Sequence, residues 1–179
     1  GAIGVEFASF YRALGSAVTL LEVAPNILPA EDTDISALAA DALSQRGINV
    51  QVGQGLDGLA SVDGCVEATI AGETLEFDAA ILSVGVAGRV QGLGLEALGV
   101  TMNQGFVVVD ERQQTSVPGI YAIGDVAGAP CLAHKATHEA MIAAETIAGH
   151  FVQGLQRDRI PGCTYSFPQI ASIGLREQD

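Results

Sequence analysis

The sequence predicts an α/β fold of layered, parallel-sheet lobes, and three observations predict it. Helix-period and strand-like runs alternate from the first residue. Apolar residues make up 49% of the 179 positions against 16% charged, enough to bury a core. Twenty-two glycines and no tryptophan suit a chain rich in turns. The net charge of −13 would repel a phosphate backbone, which argues against nucleic-acid partners. No apolar run approaches the roughly 18–20 residues needed to cross a bilayer, so no membrane role is expected. Cys65, Cys131 and Cys163 lie too far apart for a disulfide framework or a metal-ligand spacing, and read as small buried residues in a reducing cytosol.

The opening is the first informative stretch. Gly1-Ala2-Ile3-Gly4 leads into a helix over Val5–Leu14, with Val5, Phe7, Ala8 and Tyr11 near one face and Gly15 as a stop. Ala17–Leu21 reads as a buried parallel strand, followed by Glu22 eighteen positions after Gly4. Glycine turn, helix, strand and acid form the back half of a Rossmann-like dinucleotide-binding unit. The chain therefore reads as a fragment that starts inside a G-x-G-x-x-G turn, without an initiator Met or a visible signal peptide. Gly1 would let the backbone approach a pyrophosphate, and Gly4 would let helix and strand pack closely. Glu22 can accept hydrogen bonds from both ribose hydroxyls of an adenosine and would repel a 2′-phosphate, favouring NAD over NADP. Packing glycines beside a solvated glutamate remain the alternative.

The pattern continues with a helix over Ile35–Arg46, capped by Thr33-Asp34, with Ile35, Leu38, Ala42 and Leu43 as its apolar stripe and Gly47 as its end. Ile48–Val52 reads as a third strand, and Val66–Ile70 with Thr74–Phe77 as an antiparallel hairpin. Ala79–Val84 reads as a buried strand delivering Gly85 to the sheet edge, where a nicotinamide or ribose could lie; a plain turn is the alternative. Gly88 to Gly99 is a glycine-rich loop.

Farther on, Phe106–Asp110 reads as a strand, Thr115–Gly119 as a turn and Ile120–Ile123 as a buried strand. That strand ends in Gly124-Asp125, where open α/β sheets bind ligands. The Asp125 carboxylate can accept a hydrogen bond from a sugar-alcohol hydroxyl, or can serve as a helix cap. A helix over Leu132 to about Val152 brings its positive amino end near Asp125. Lys135, the one lysine, reads by itself as a surface residue.

Taken together, these stretches resemble a known family. Thr115-Ser116-Val117-Pro118-Gly119-Ile120-Tyr121-Ala122-Ile123-Gly124-Asp125-Val126 is similar to the second FAD-binding signature of the flavoprotein disulfide reductases. Leu132-Ala133-His134-Lys135-Ala136 resembles the segment beneath the flavin in the dihydrolipoyl dehydrogenase branch. Gly1–Ala8 and Val18–Glu22 resemble the NAD turn and second strand, and Tyr165–Gly174 the opening of a dimerisation domain. The resemblance implies three-layer FAD- and NAD-binding lobes with the start of an α+β dimerisation domain. Residues 1–85 would form the NAD lobe without its first strand, 86–155 the C-terminal part of the FAD lobe, and 156–179 the start of the dimerisation domain.

By this resemblance, Asp125, Leu132, Ala133 and His134 would hold FAD, and Gly1, Gly4, Glu6, Glu22 and Gly85 would bind NAD, with Glu6 beside the nicotinamide. Gly85-Val86-Ala87-Gly88-Arg89 departs from the family's Gly-Arg-x-Pro-Asn, and Gln169 stands where the family usually has Glu. The implied reaction oxidises protein-bound dihydrolipoamide, with electrons passing through FAD to NAD. It would take place in a homodimer that serves lipoyl domains of 2-oxo acid dehydrogenase complexes, in bacterial cytoplasm or the mitochondrial matrix. No catalytic residue is assigned within the chain. The reaction needs a Cys-x4-Cys pair, which the three cysteines do not form, and a His-Glu pair that would lie downstream; His134, His138 and His150 are expected to be structural or solvated. The chain alone is therefore expected to be inactive and, with cut apolar surfaces, to self-associate. A glutathione- or mercuric-reductase-like enzyme, or a non-catalytic nucleotide-binding truncation product, are the alternatives.

Overall fold

The computed structural model describes residues 1–179 as two compact units. The first comprises Gly1–Val84 with Cys163–Asp179, and the second Gly85–Gly162.

The first unit opens with helix α1 (Ala2–Ala13), strand β1 (Val18–Glu22), helix α2 (Thr33–Gln45) and strand β2 (Ile48–Val52). β1 and β2 pair in parallel from Val18↔Ile48 to Glu22↔Val52, joined through α2 as a parallel pair requires. The core is Val5 and Ala8 of α1, Ile27 and Leu28 of the loop before α2, Ala39 and Leu43 of α2, and Ile48, with Val18, Leu20 and Val50 packed against it. On α1 the buried face is narrower than expected: Phe7 and Tyr11 stay in solvent, stacked on each other at 6.3 Å.

α2 is turned relative to its expected stripe. Ser36, Ala39 and Leu43 are buried, whereas Ile35 and Leu38 are exposed. The reason is a hydrogen bond: Ser36 Oγ accepts the Leu28 N–H at 3.0 Å, so a polar side chain is satisfied inside and an apolar one is left outside. Capping also differs. Asp32 is the N-cap residue, without a side-chain cap bond.

Strands β3 (Gly58–Val62), β4 (Cys65–Ile70) and β5 (Glu73–Phe77) form an antiparallel meander. β3 is an addition to the expected hairpin. Its turn, Asp63-Gly64, has both residues at positive φ, the geometry of a two-residue hairpin loop, so the signal was present in the Asp-Gly pair.

Ala79–Val84 is not the expected buried strand. It joins no ladder, and Ile81, Leu82 and Val84 are exposed, Val84 at 92%. β1 hydrogen-bonds only to β2, and an apolar run without a neighbour for its N–H and C=O groups does not become a strand.

Residues 163–179, expected to open a separate domain, pack on the first unit. β8 (Gly162–Thr164) and β9 (Ile170–Ser172) pair there, and Ile170 touches the core. The Phe167 N–H donates to Ser9 Oγ at 3.0 Å, and the Arg46 guanidinium lies 4.1 Å from the centre of the Phe167 ring. Farther along, the Glu177 N–H donates to Asp32 Oδ1 at 2.7 Å.

The second unit holds a small antiparallel pair, β6 (Met102–Asn103) and β7 (Phe106–Val107), 3-10 turns at Gly124–Ala127 and Arg157–Arg159, and helix α3 (Ala133–Ile147). The expected strand over Phe106–Asp110 shrinks to two residues, and Ile120–Ile123 is extended but makes only a bridge, Gln114↔Tyr121. Without a neighbouring sheet, both segments bond instead to the 113–115 turn: the Thr115 N–H donates to Ile120 O and the Ala122 N–H to Gln113 O. α3 stops near Ala148 rather than Val152, because Gly149 at positive φ closes the last turn.

Candidate nucleotide- and flavin-binding sites

In the first unit, three of the expected residues meet where β1 ends and α1 begins. The Gly1 amino group lies 2.8 Å from Glu22 Oε2, and the Ala24 N–H donates to Glu22 Oε1 at 3.0 Å. Partial burial pushes the Glu22 carboxyl up, but the bonds from Ala24 and the amino group outweigh it, so the net displacement is below the ordinary value. The carboxylate stays ionised and held by its own backbone, with lone pairs left for further donors.

Gly4 is a packing position. A Cβ there would lie 2.8 Å from Ser83 Oγ and 3.6 Å from Leu20 Cδ1. Gly1, by contrast, faces open space. The first intrahelical bond of α1 runs from Val5 N–H to Gly1 O, so the preceding N–H groups have no partner within the helix. An anion with room to approach at Gly1 fits that end. Glu6 is engaged elsewhere: its Oε1 accepts the Tyr165 N–H at 2.7 Å, tying α1 to the tail. Gly85 begins the second unit, exposed and with open space where a Cβ would project.

In the second unit, the 3-10 turn and the start of α3 pack together and gather Asp125, Leu132, Ala133 and His134. Asp125 is exposed on the turn. α3 begins without a side-chain cap bond, and its first intrahelical bond is Ala136 N–H to Leu132 O; the Leu132 N–H donates to Pro130 O at 3.1 Å, and the amides of Ala133 to Lys135 are left over at the helix start. His134 Nε2 sits 2.8 Å from Pro161 O and must donate to it, which fixes the ring away from proton transfer at that nitrogen.

Lys135 is not a surface residue. It and Glu139 are both fully buried, Nζ 3.1 Å from Glu139 Oε1. Lys135 Nζ donates to Gly124 O at 3.1 Å and Gly128 O at 2.7 Å, while Glu139 Oε2 accepts the Gly124 N–H at 2.7 Å. Both ends of the Asp125 turn are thus tied to α3. Sequence reasoning missed this pair; its signal was the i, i+4 spacing of opposite charges on an otherwise apolar helix face.

The cysteines are partly exposed and free, not buried. A hydrogen bond to Glu76 leads in pushing the Cys65 thiol up, and burial followed by the charge of Asp125 does so at Cys131, against an opposing pull from Lys135. Both are kept as thiols, poor nucleophiles. No group of His, Cys, Asp and Glu is arranged to hold a metal ion.

Comparison with known proteins agrees with this geometry. The chain is 50% identical to a dihydrolipoyl dehydrogenase of Zymomonas mobilis and 48% identical to one of Rhizobium etli, each over 99% of its length. It spans 40% and 38% of those relatives. Among solved structures, the HOCl-induced flavoprotein disulfide reductase RclA from Escherichia coli superposes with a TM-score of 0.91 at 29% identity, covering 99% of this chain and 41% of that one. LpdA from Mycobacterium tuberculosis gives the same TM-score at 28% identity, over 99% of this chain and 39% of its own. Residues 1–140 match the pyridine nucleotide-disulphide oxidoreductases, so a helix start facing Glu22 and a clamped Asp125 turn are set in a chain that belongs to that family.

Proposed function

We propose that this chain is the FAD- and NAD-binding centre of a dihydrolipoyl dehydrogenase, which oxidises protein-bound dihydrolipoamide to lipoamide with NAD as final acceptor. The carrying observation is the exposed Asp125 carboxylate on a turn packed against the start of α3. Asp125 accepts hydrogen bonds from the polyol chain of FAD. The free amides of Ala133 and His134 at the start of α3, beside Leu132, donate to the electron-rich pyrimidine edge. In the first unit the start of α1 at Gly1 receives the pyrophosphate of NAD and Glu22 its adenosine ribose, with Glu6 on the nicotinamide side. The bound flavin supplies a two-electron relay between dithiol and nicotinamide. The parent protein would work as a homodimer that serves lipoyl domains of 2-oxo acid dehydrogenase complexes, in bacterial cytoplasm or the mitochondrial matrix.

The test is flavin retention. The holoenzyme should purify yellow, and Asp125→Ala should lose the absorbance near the blue. A colourless wild type, or an Asp125→Ala protein that keeps its flavin undiminished, rejects the reading. The 179-residue chain by itself should show no turnover of dihydrolipoamide, since Cys65, Cys131 and Cys163 form no exchanging pair. Turnover that falls on Asp125→Ala would reject that expectation.

A second reading keeps the scaffold and changes the disulfide substrate, as the close superposition on a differently named reductase allows. Glu22 is the local discriminator. The holoenzyme flavin should be reduced by NADH in preference to NADPH, and Glu22→Arg should shift the preference toward NADPH.

A further inference from the structure

We propose that Lys135 and Glu139 are positioning residues for the flavin: a buried ion pair that holds the Gly124–Gly128 turn so that Asp125 faces the polyol. The inference rests on the reading of Asp125 given above. Asp125 makes no side-chain bond to any neighbour that could orient it; its direction is inherited from its backbone. That backbone is held from both ends by one helix turn. The Gly124 N–H ends on Glu139 Oε2, and Gly124 O and Gly128 O both accept from Lys135 Nζ. Lys135 Nζ thus donates to two carbonyls and lies 3.1 Å from Glu139 Oε1 as an ion pair, an oxygen that accepts no hydrogen bond.

Two further facts set this pair apart from ordinary core polarity. Gly124 sits at φ +74°, a conformation that glycine adopts freely and a residue with a Cβ would resist, so the turn depends on a glycine whose N–H and C=O both bond to the pair. Arg157 adds a second cation, donating from Nη1 to Ala129 O at 2.8 Å, with Nη2 4.0 Å from Glu139 Oε1, so the loop between turn and helix is held as well. A hydrophobic pair would fill the same volume at no desolvation cost. What it could not do is bond to the three backbone groups around Asp125.

The experiment exploits that difference in the holoenzyme. The double variant K135M/E139L replaces the ions with apolar side chains of similar length, and Glu139→Gln keeps an oxygen for the Gly124 N–H. Apoprotein is titrated with FAD, and the visible band of the bound flavin is recorded. K135M/E139L should fold with unchanged or raised melting temperature, yet bind FAD about tenfold more weakly. Its flavin band should move toward that of free FAD. Glu139→Gln should stay within about threefold of wild type. A folded K135M/E139L that binds FAD as wild type does overturns the clamp, and leaves the Asp125 reading intact if Asp125→Ala still sheds flavin. Flavin undiminished in Asp125→Ala overturns both. Should the double variant not fold, Lys135→Met alone decides: a folded protein that binds FAD as wild type does overturns the clamp, and weaker binding beside retention in Glu139→Gln supports it.

Discussion

Gly88 has no room for a methyl group. A Cβ there would sit 2.5 Å from the Gly105 carbonyl oxygen, a backbone atom that cannot swing aside. Gly88→Ala should therefore destabilise the second unit by about 1–3 kcal/mol, read from urea unfolding. Glu22 carries a pH signature. Its carboxyl is held below the ordinary value of 4.5, so its contribution to stability is complete above that value and is lost as pH falls through the lower folded one. Glu22→Gln should be less stable than wild type at neutral pH, and the gap should close as pH falls through the lowered folded value of Glu22. A gap that persists in acid would mean that the side chain acts through packing instead. Of the site residues, the positions of Glu22 at the end of β1 and of Asp125 after Gly124 were legible, because glycine placement and apolar runs mark those ends locally. Lys135 was not. A lone lysine carries no sign of burial until its carboxylate and carbonyl partners are placed around it.

α2 shows how an element can be found and still be misturned. Its ends were readable from the Gly47 stop and the acidic residues before it, but its buried face depends on Ser36 reaching the Leu28 amide. Leu43→Ala, at a side chain only 1% exposed, should cost about 2–5 kcal/mol in the first unit. Leu38→Ala, on the exposed side, should stay within about 0.5 kcal/mol of wild type. Equal losses at the two positions would restore the stripe expected from hydrophobicity alone. Helices and hairpins were readable since their hydrogen bonds are local. Ala79–Val84 and Ile120–Ile123 were misread for the opposite reason: a strand is a property of two segments, and no ladder partner lies beside either run.

Across the whole molecule, the large apolar side chains left in solvent exceed the scattered few of an ordinary surface. Val84, Phe151 and Leu175 are each more than four-fifths exposed, and Leu82 and Phe10 more than half. A chain with such surface should associate in solution. Sedimentation of the 179-residue chain should show mass rising with concentration, and a constant monomer mass would contradict this. By itself the sequence determined the α/β class, the helices and parallel pair of the first unit, and where Glu22 and Asp125 fall in them, because periodicity and glycine placement act over a few residues. Only the tertiary structure decided which apolar runs became strands, which face of α2 turned inward, where the tail packed and what holds the Asp125 turn. Each of these depends on a partner far away in the chain, and a hydrogen bond or ion pair between distant residues leaves no local pattern to read.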